Sequence, residues 1–221
     1  MPTVARLNKF KRVAAQRQSG LTVVIEDVFD PHNLGAITRS CDAFGVQELN
    51  IIFDTHPEFD PKEVGKNSST ATNKWLNFRV HQGSAKALRA LKAEGWHLVA
   101  TTLDANAESI FEADLRQPKL ALLLGNEKDG LSAQALRLAD SMVTIPMRGI
   151  AQSMNVSVTA ALFLYEVTRQ RLQQGPEAFA ADKATQQQTL DYFLEMHRHL
   201  NRRNKRQRQK RATERRSQSD E

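Results

Sequence analysis

Three short stretches of this 221-residue chain hold residue types suited to chemistry rather than packing. In the first, Asn33-Leu-Gly-Ala-Ile-Thr-Arg39, an amide is followed six residues later by a cation. The second, Leu124-Gly-Asn-Glu127, is an apolar run that ends in Gly125, Asn126 and the carboxylate of Glu127. The third, Ile145-Pro-Met147 through Gln152-Ser-Met-Asn-Val-Ser157, is a polar loop that runs straight into an apolar helix. A helix start has free N–H groups that hold the polar or anionic part of a ligand, so Gln152, Ser153, Asn155 and Ser157 mark a candidate binding loop. Each stretch also has a plainer reading. Asn155 suits an N-cap, Glu127 a carboxylate favoured by a helix dipole, and Arg39 an i,i+3 partner of Asp42.

Other chemistries find no support. The chain has no G-x-x-x-x-G-K-[ST] phosphate loop, no G-x-G-x-x-G after its first strand and no G-x-S-x-G elbow. Its six histidines lack metal-ligand spacing with Cys or carboxylates, so no metal is expected. The single cysteine, Cys41, falls inside a predicted helix and reads as a small core residue; with no intrachain disulfide possible, a reducing cytoplasm is expected.

The three stretches must be held by strands and helices in alternation. β-branched and apolar runs predict strands over Leu21–Ile25, Glu48–Phe53, Leu76–Val80, Trp96–Thr101, Leu120–Leu124 and Met142–Ile145. Helices are predicted over 5–18, over Ala36–Phe44 with Asn33 as N-cap and Gly45 as stop, over 84–94, up to Ala139, from Asn155 to Gln170, and over Lys183–Leu200. Residues 54–74 read as an irregular excursion. This pattern predicts an α/β fold, a mostly parallel sheet with helices on both faces, whose ligands bind beyond the carboxyl ends of the strands. Apolar residues cover every side of the helix after Asn155, so it is expected to be buried all round and to pair with a second subunit.

Charge is unevenly spread. Residues 198–221 hold ten Lys and Arg against three Asp and Glu, and Arg6, Lys9, Lys11, Arg12 and Arg17 precede the first acidic residue, Glu26. Basic ends on a nearly neutral body suit a polyanion, RNA or DNA before a membrane. No apolar run reaches membrane-spanning length and the N-terminus lacks a signal-peptide pattern, so a soluble, cytoplasmic protein is expected. The expected organisation is a basic arm over 1–20, one domain over 21–175, a helix within 176–200 and a solvated or disordered basic tail over 201–221.

The three stretches, in this order, resemble the motifs of the SpoU class of RNA ribose 2′-O-methyltransferases within the SPOUT superfamily, most closely the branch that acts on a tRNA guanosine. The resemblance spans roughly Leu21 to Arg171. It implies a sheet whose C-terminal part is tied in a deep trefoil knot, against the general rarity of knots. It further implies S-adenosylmethionine held in the knotted loops, a homodimer completing each site, and methylation of guanosine-18 in the tRNA D-loop, with ribosomal RNA or non-catalytic RNA binding as alternatives. By the same resemblance Arg39, with Asn33 beside it, is the catalytic arginine, supported by Ser153 and Asn155. Thr101, Leu124, Gly125, Asn126, Glu127, Ile145, Met147 and Met154 match the donor pocket, and Arg6, Lys9, Arg17, Lys92, Arg169 and Arg171 match RNA-binding positions. Gly35 and Asn126 depart from the family pattern, which bears on the substrate rather than the reaction.

Overall fold

The computed structural model describes residues 2–55, 57–62, 72–175 and 177–217, over 204–217 through the backbone alone. Two compact units are present, Gln16–Ala181 and Met1–Ala15 with Asp182–Glu221. The first is built on seven parallel strands: β1 (Leu21–Glu26), β2 (Glu48–Phe53), β3 (Asn77–Gln82), β4 (His97–Thr101), β5 (Glu108–Ser109), β6 (Leu120–Leu124) and β7 (Ser141–Thr144), in the order β3-β2-β1-β6-β4-β7-β5. Residues of β1 and β6 are buried on both faces, as their unbroken apolar runs require. Val23, Ile25, Leu122 and Leu124 enter one core, while Val24, Ala121 and Leu123 enter the other. The two-residue strand β5 is too short to show in sequence.

Helices cover both faces. The first core also takes α2 (Pro31–Ala43) and α5 (Val156–Gln173) through Leu34, Ile37, Ala160, Phe163 and Val167; the second takes α3 (Ser84–Ala93) and α4 (Ala133–Leu138) through Leu88, Leu91 and Ala135. Helix α2 starts earlier than the sequence predicted. Asp30 is its N-cap, accepting from the His32 backbone N–H at 2.8 Å, and Pro31 fills the first helical position, where its missing N–H costs nothing. Asn33 therefore sits within the first turn and is not a cap. At the other end of this region Gly20, at φ 61°, has no room for a side chain, since a Cβ would stand 1.7 Å from the Pro118 carbonyl oxygen.

Helix α5 is not buried all round in a single chain. Phe163, Leu164 and Val167 are buried, whereas Val158, Leu162, Tyr165 and Leu172 lie exposed along one stripe. The second unit joins α1 (Val4–Ala15) and α6 (Lys183–Ser217), with the Phe10 ring 5.6 Å from Phe193 and edge-on to His197 at 5.9 Å. The basic segment expected as a tail from Asn201 continues α6 to Ser217, consistent with the helix propensity of Arg, Lys, Gln and Ala. Parts of the expected excursion (56 and 63–71), Pro176 and residues 218–221 lie outside the described residues. Among the described residues no helix is long and apolar enough to cross a membrane, and no cluster could hold a metal ion.

Candidate active site

The strands β4, β6 and β7 release their loops at one edge of the sheet, and a cleft of about 510 Å³ opens there. Thr101, Gly125, Asn126, Glu127, Ile145, Met147, Ser153, Met154 and Asn155 all line it, so the structure brings the second and third stretches together as expected. Leu124 does not belong with them. It is fully buried at the end of β6 with its side chain in the core, because strand alternation points it inward. Thr101 is half-buried, and its hydroxyl donates to the Leu123 carbonyl at 3.0 Å.

The loop after β6 is self-braced. Asn126 and Gly130 exchange backbone hydrogen bonds at 3.1 and 3.2 Å, and the Asn126 side-chain carbonyl accepts from the N–H groups of Lys128 and Asp129. Only glycine fits at position 125, since a Cβ there would lie 2.0 Å from the Gly130 carbonyl carbon. That close return of the backbone shapes one wall of the cleft.

A chain of side-chain hydrogen bonds crosses all three stretches. The Asn33 amide donates to Glu127 at 2.6 Å, and the Asn155 amide donates to the Asn33 carbonyl oxygen at 2.9 Å. The Asn155 carbonyl oxygen in turn accepts from the Ser157 N–H at 2.8 Å and its hydroxyl at 2.6 Å. Asn155 is thus both the N-cap of α5 and a link between motifs, so the plain reading and the functional one hold together. Glu127 is likewise more than a dipole partner: its other oxygen accepts from the Phe29 N–H at 3.4 Å.

Arg39 stands apart from this chain. Six residues carry it about 120° round the helix from Asn33, which leaves Asn33 buried and Arg39 exposed, outside the cleft of its own chain. The resemblance set Asn33 beside Arg39; helix geometry separates them. Arg39 also does not pair with Asp42, whose carboxylate binds Arg17 at 2.7 Å.

The six expected RNA contacts divide three ways. Arg6 and Lys9 are exposed on α1. Lys92 and Arg169 are accessible but ion-paired, with Asp140 at 2.6 Å and Glu166 at 2.7 Å, and the Arg169 hydrogen bonds hold the Glu166 carboxyl below its ordinary value. Arg17 and Arg171 are only 2% exposed and do not face a surface, which corrects the expectation for both. Arg171 donates to the carbonyls of Ser19, Gly20 and Gln117 and stacks on Phe179 at 4.3 Å, because carbonyls and a ring face replace the water its charge loses. Burial lowers its pKa to about 10, so it remains charged at neutral pH. Sequence reasoning passed over Thr159 and Phe163, which line the cleft at four and eight residues from Asn155; that helical spacing was the available signal.

The SpoU rRNA Methylase family model matches residues 20–165. The tRNA (guanosine(18)-2′-O)-methyltransferase of Thermus thermophilus is 43% identical over 175 residues, covering 78% of this chain and 87% of that protein. The crystal structure of the A. aeolicus TrmH/SpoU tRNA modifying enzyme superposes with a TM-score of 0.76 at 32% identity, covering 85% of this chain and 93% of that one. The AviRb methyltransferase of Streptomyces viridochromogenes in complex with AdoMet superposes with a TM-score of 0.61 at 33% identity, over 71% of this chain and 59% of that one.

Proposed function

The chain belongs to the SpoU rRNA methylase family, and from that premise we propose that it transfers a methyl group from S-adenosylmethionine to the 2′-oxygen of a tRNA guanosine, guanosine-18 of the D-loop. The observation that carries the reading is the Glu127–Asn33–Asn155 chain, which ties the first turn of α2 to the two loops that line one cleft.

The cleft fits the donor in chemistry and size. Ile145, Met147, Leu131 and Phe163 offer an apolar wall, Thr101 and Asn126 polar groups, and its volume is in the range of small-molecule sites. When bound, S-adenosylmethionine supplies an electrophilic methyl carbon on a sulfonium. The chain's own residues do the rest. A ribose hydroxyl is a poor nucleophile, so its proton must leave as its oxygen is aimed at that carbon. We assign the relay of this proton to Arg39: its guanidinium already carries a full set of protons, so it takes the one from the hydroxyl only as it passes another to an RNA phosphate oxygen bound to it. Asn33, Ser153 and Asn155 orient the acceptor; Glu127 holds Asn33.

A homodimer is supported by two features, the exposed apolar stripe of α5 and the absence of Arg39 from its own cleft, which a second copy would supply. A trefoil knot is supported by the strand order: β6 returns between β1 and β4, β7 lies outside β4, and residues 146–155 double back to Asn33. For RNA we retain Arg6 and Lys9 as direct contacts; Lys92 and Arg169 must exchange their present carboxylate partners for phosphate.

The deciding experiment is methyl transfer from labelled donor to purified tRNA and rRNA, with the product nucleotide mapped. Label on the 2′-oxygen of tRNA guanosine-18 is expected. Label on rRNA alone moves the substrate; none on either overturns the enzyme reading.

A further inference from the structure

The donor-cleft reading leaves one buried group unexplained. Glu26, the last residue of β1, is 3% exposed, and among the described residues it forms no ion pair. A buried carboxylate is costly unless strong donors meet it, and here both oxygens are met by a single residue. One accepts from the Ser132 backbone N–H at 2.7 Å, the other from the Ser132 hydroxyl at 2.8 Å. The same hydroxyl accepts from the Ala135 N–H at 3.1 Å and so caps α4.

The position of this contact matters more than its strength. Ile25 pairs in register with Leu124, so Glu26 is the first β1 residue beyond the end of β6, where the chain leaves the sheet to form the wall of the cleft. Residues 125–131 are braced internally through Asn126 and Gly130, so the placement of the loop depends on its attachments to the rest of the fold. Its attachments include Leu124 in the sheet, Glu127 on Asn33 and the Phe29 N–H, Leu131 in the second core, and Ser132 on Glu26. Of these, the Ser132 contact with Glu26 holds the point where the loop passes into α4.

We propose that Glu26 is a positioning residue for the methyl donor, acting through Ser132 to hold the 125–131 loop in its donor-binding orientation. This rests on the reading of the cleft as the donor site. Glu26→Gln keeps size and leaves the α4 cap intact; its Oε1 can still accept from the Ser132 N–H and its NH2 donate to the Ser132 hydroxyl oxygen, so the change removes the charge and not the contact.

The test is calorimetric titration of S-adenosylmethionine into the full-length wild type, Glu26→Gln, Ser132→Ala and Ser132→Thr, well below their melting temperatures, with steady-state kinetics on tRNA. Loss of a charge-assisted pair predicts a donor Kd and KM about tenfold higher in Glu26→Gln, with kcat at saturating donor and the KM for tRNA within about twofold of wild type. Ser132→Ala should weaken donor binding similarly, Ser132→Thr should restore it, and the double variant should be no worse than Glu26→Gln alone. Wild-type donor affinity in Glu26→Gln overturns the proposal, as does a parallel loss of donor affinity, tRNA affinity and kcat, which marks a general structural role. A wild type that takes no donor overturns the cleft reading and the proposal together.

Discussion

Asn33 is the residue on which the three loops meet, since it donates to Glu127 and accepts from Asn155. Asn33→Asp would set two carboxylates at hydrogen-bond distance, and such a pair cannot both stay ionised without cost. Methyl transfer and thermal stability should therefore fall at pH 8 and partly recover toward pH 6, where one proton bridges the pair. Melting curves that coincide with wild type at both pH values would remove Asn33 from the chain. Arg39 tests the reaction itself. Arg39→Ala should fold and bind S-adenosylmethionine, because the donor cleft is lined by the second and third stretches, while methyl transfer drops on the order of a hundredfold or more. Arg39→Lys should rescue little, as an ammonium lacks the planar fork. Near wild-type turnover of Arg39→Ala at saturating substrates would end the catalytic assignment. His81 carries a pH prediction for the fold. It is half-buried with its Nε2 2.8 Å from the Asn50 side-chain oxygen, and burial, followed by the nearby Arg79 charge, lowers its pKa below the ordinary 6.5. The unfolded chain then takes up the proton first as pH falls, so stability is full above about 6.5 and declines below it. The urea midpoint should drop between pH 7.5 and 5.5, and His81→Gln should flatten that drop.

At the scale of elements, the loop after β6 and the helix α5 each make a separable prediction. In Gly125→Ala the new Cβ would meet Gly130 backbone at 2.0 Å, and the loop must open to accept it. The sheet ends at Leu124, so the fold should survive while donor affinity falls more than about tenfold, as for losing a positioned wall of a binding site. Unchanged donor titration would show that the loop does not shape the site. Helix α5 carries Val158, Leu162, Tyr165 and Leu172 on one exposed stripe, an arrangement that leaves large apolar groups in water in a lone chain. Leu162→Glu places a charge in the middle of that stripe. Sedimentation should show wild-type dimers and Leu162→Glu monomers at micromolar concentration, with methyl transfer lost alongside; an active wild-type monomer would remove the shared-site idea.

The whole molecule divides its labour between two units. Gln16–Ala181 holds the sheet and the cleft, while the basic excess is concentrated at the two ends of the chain, which together form the other unit. Removing residues 201–221 should leave donor binding intact and weaken tRNA binding. For every phosphate that the shortened chain no longer neutralises, the log–log salt slope should fall by about 0.7 to 0.9. An unchanged slope would make this segment a solubility device.

Much of this protein is determined by sequence alone, wherever the information is local. A five-residue apolar run bounded by polar and turn residues, such as Leu120–Leu124, reads as a strand buried on both faces, and strand and helix in alternation imply a parallel sheet, so fold class and most elements were legible. The three loops were legible as well, because Asn33, Glu127 and Asn155 each sit where a strand or helix ends. What the sequence could not decide depends on direction in space. The same residue type serves opposite ends: Arg39 reaches water, while Arg17 and Arg171 are buried against Asp42 and backbone carbonyls, and no local pattern separates them. An apolar helix such as α5 shows in its composition that it needs partners, but only the packed sheet shows which face its own chain covers. Asn33 joins Glu127 and Asn155 across 94 and 122 residues, pairings that exist only once the sheet has brought three strand ends to one edge.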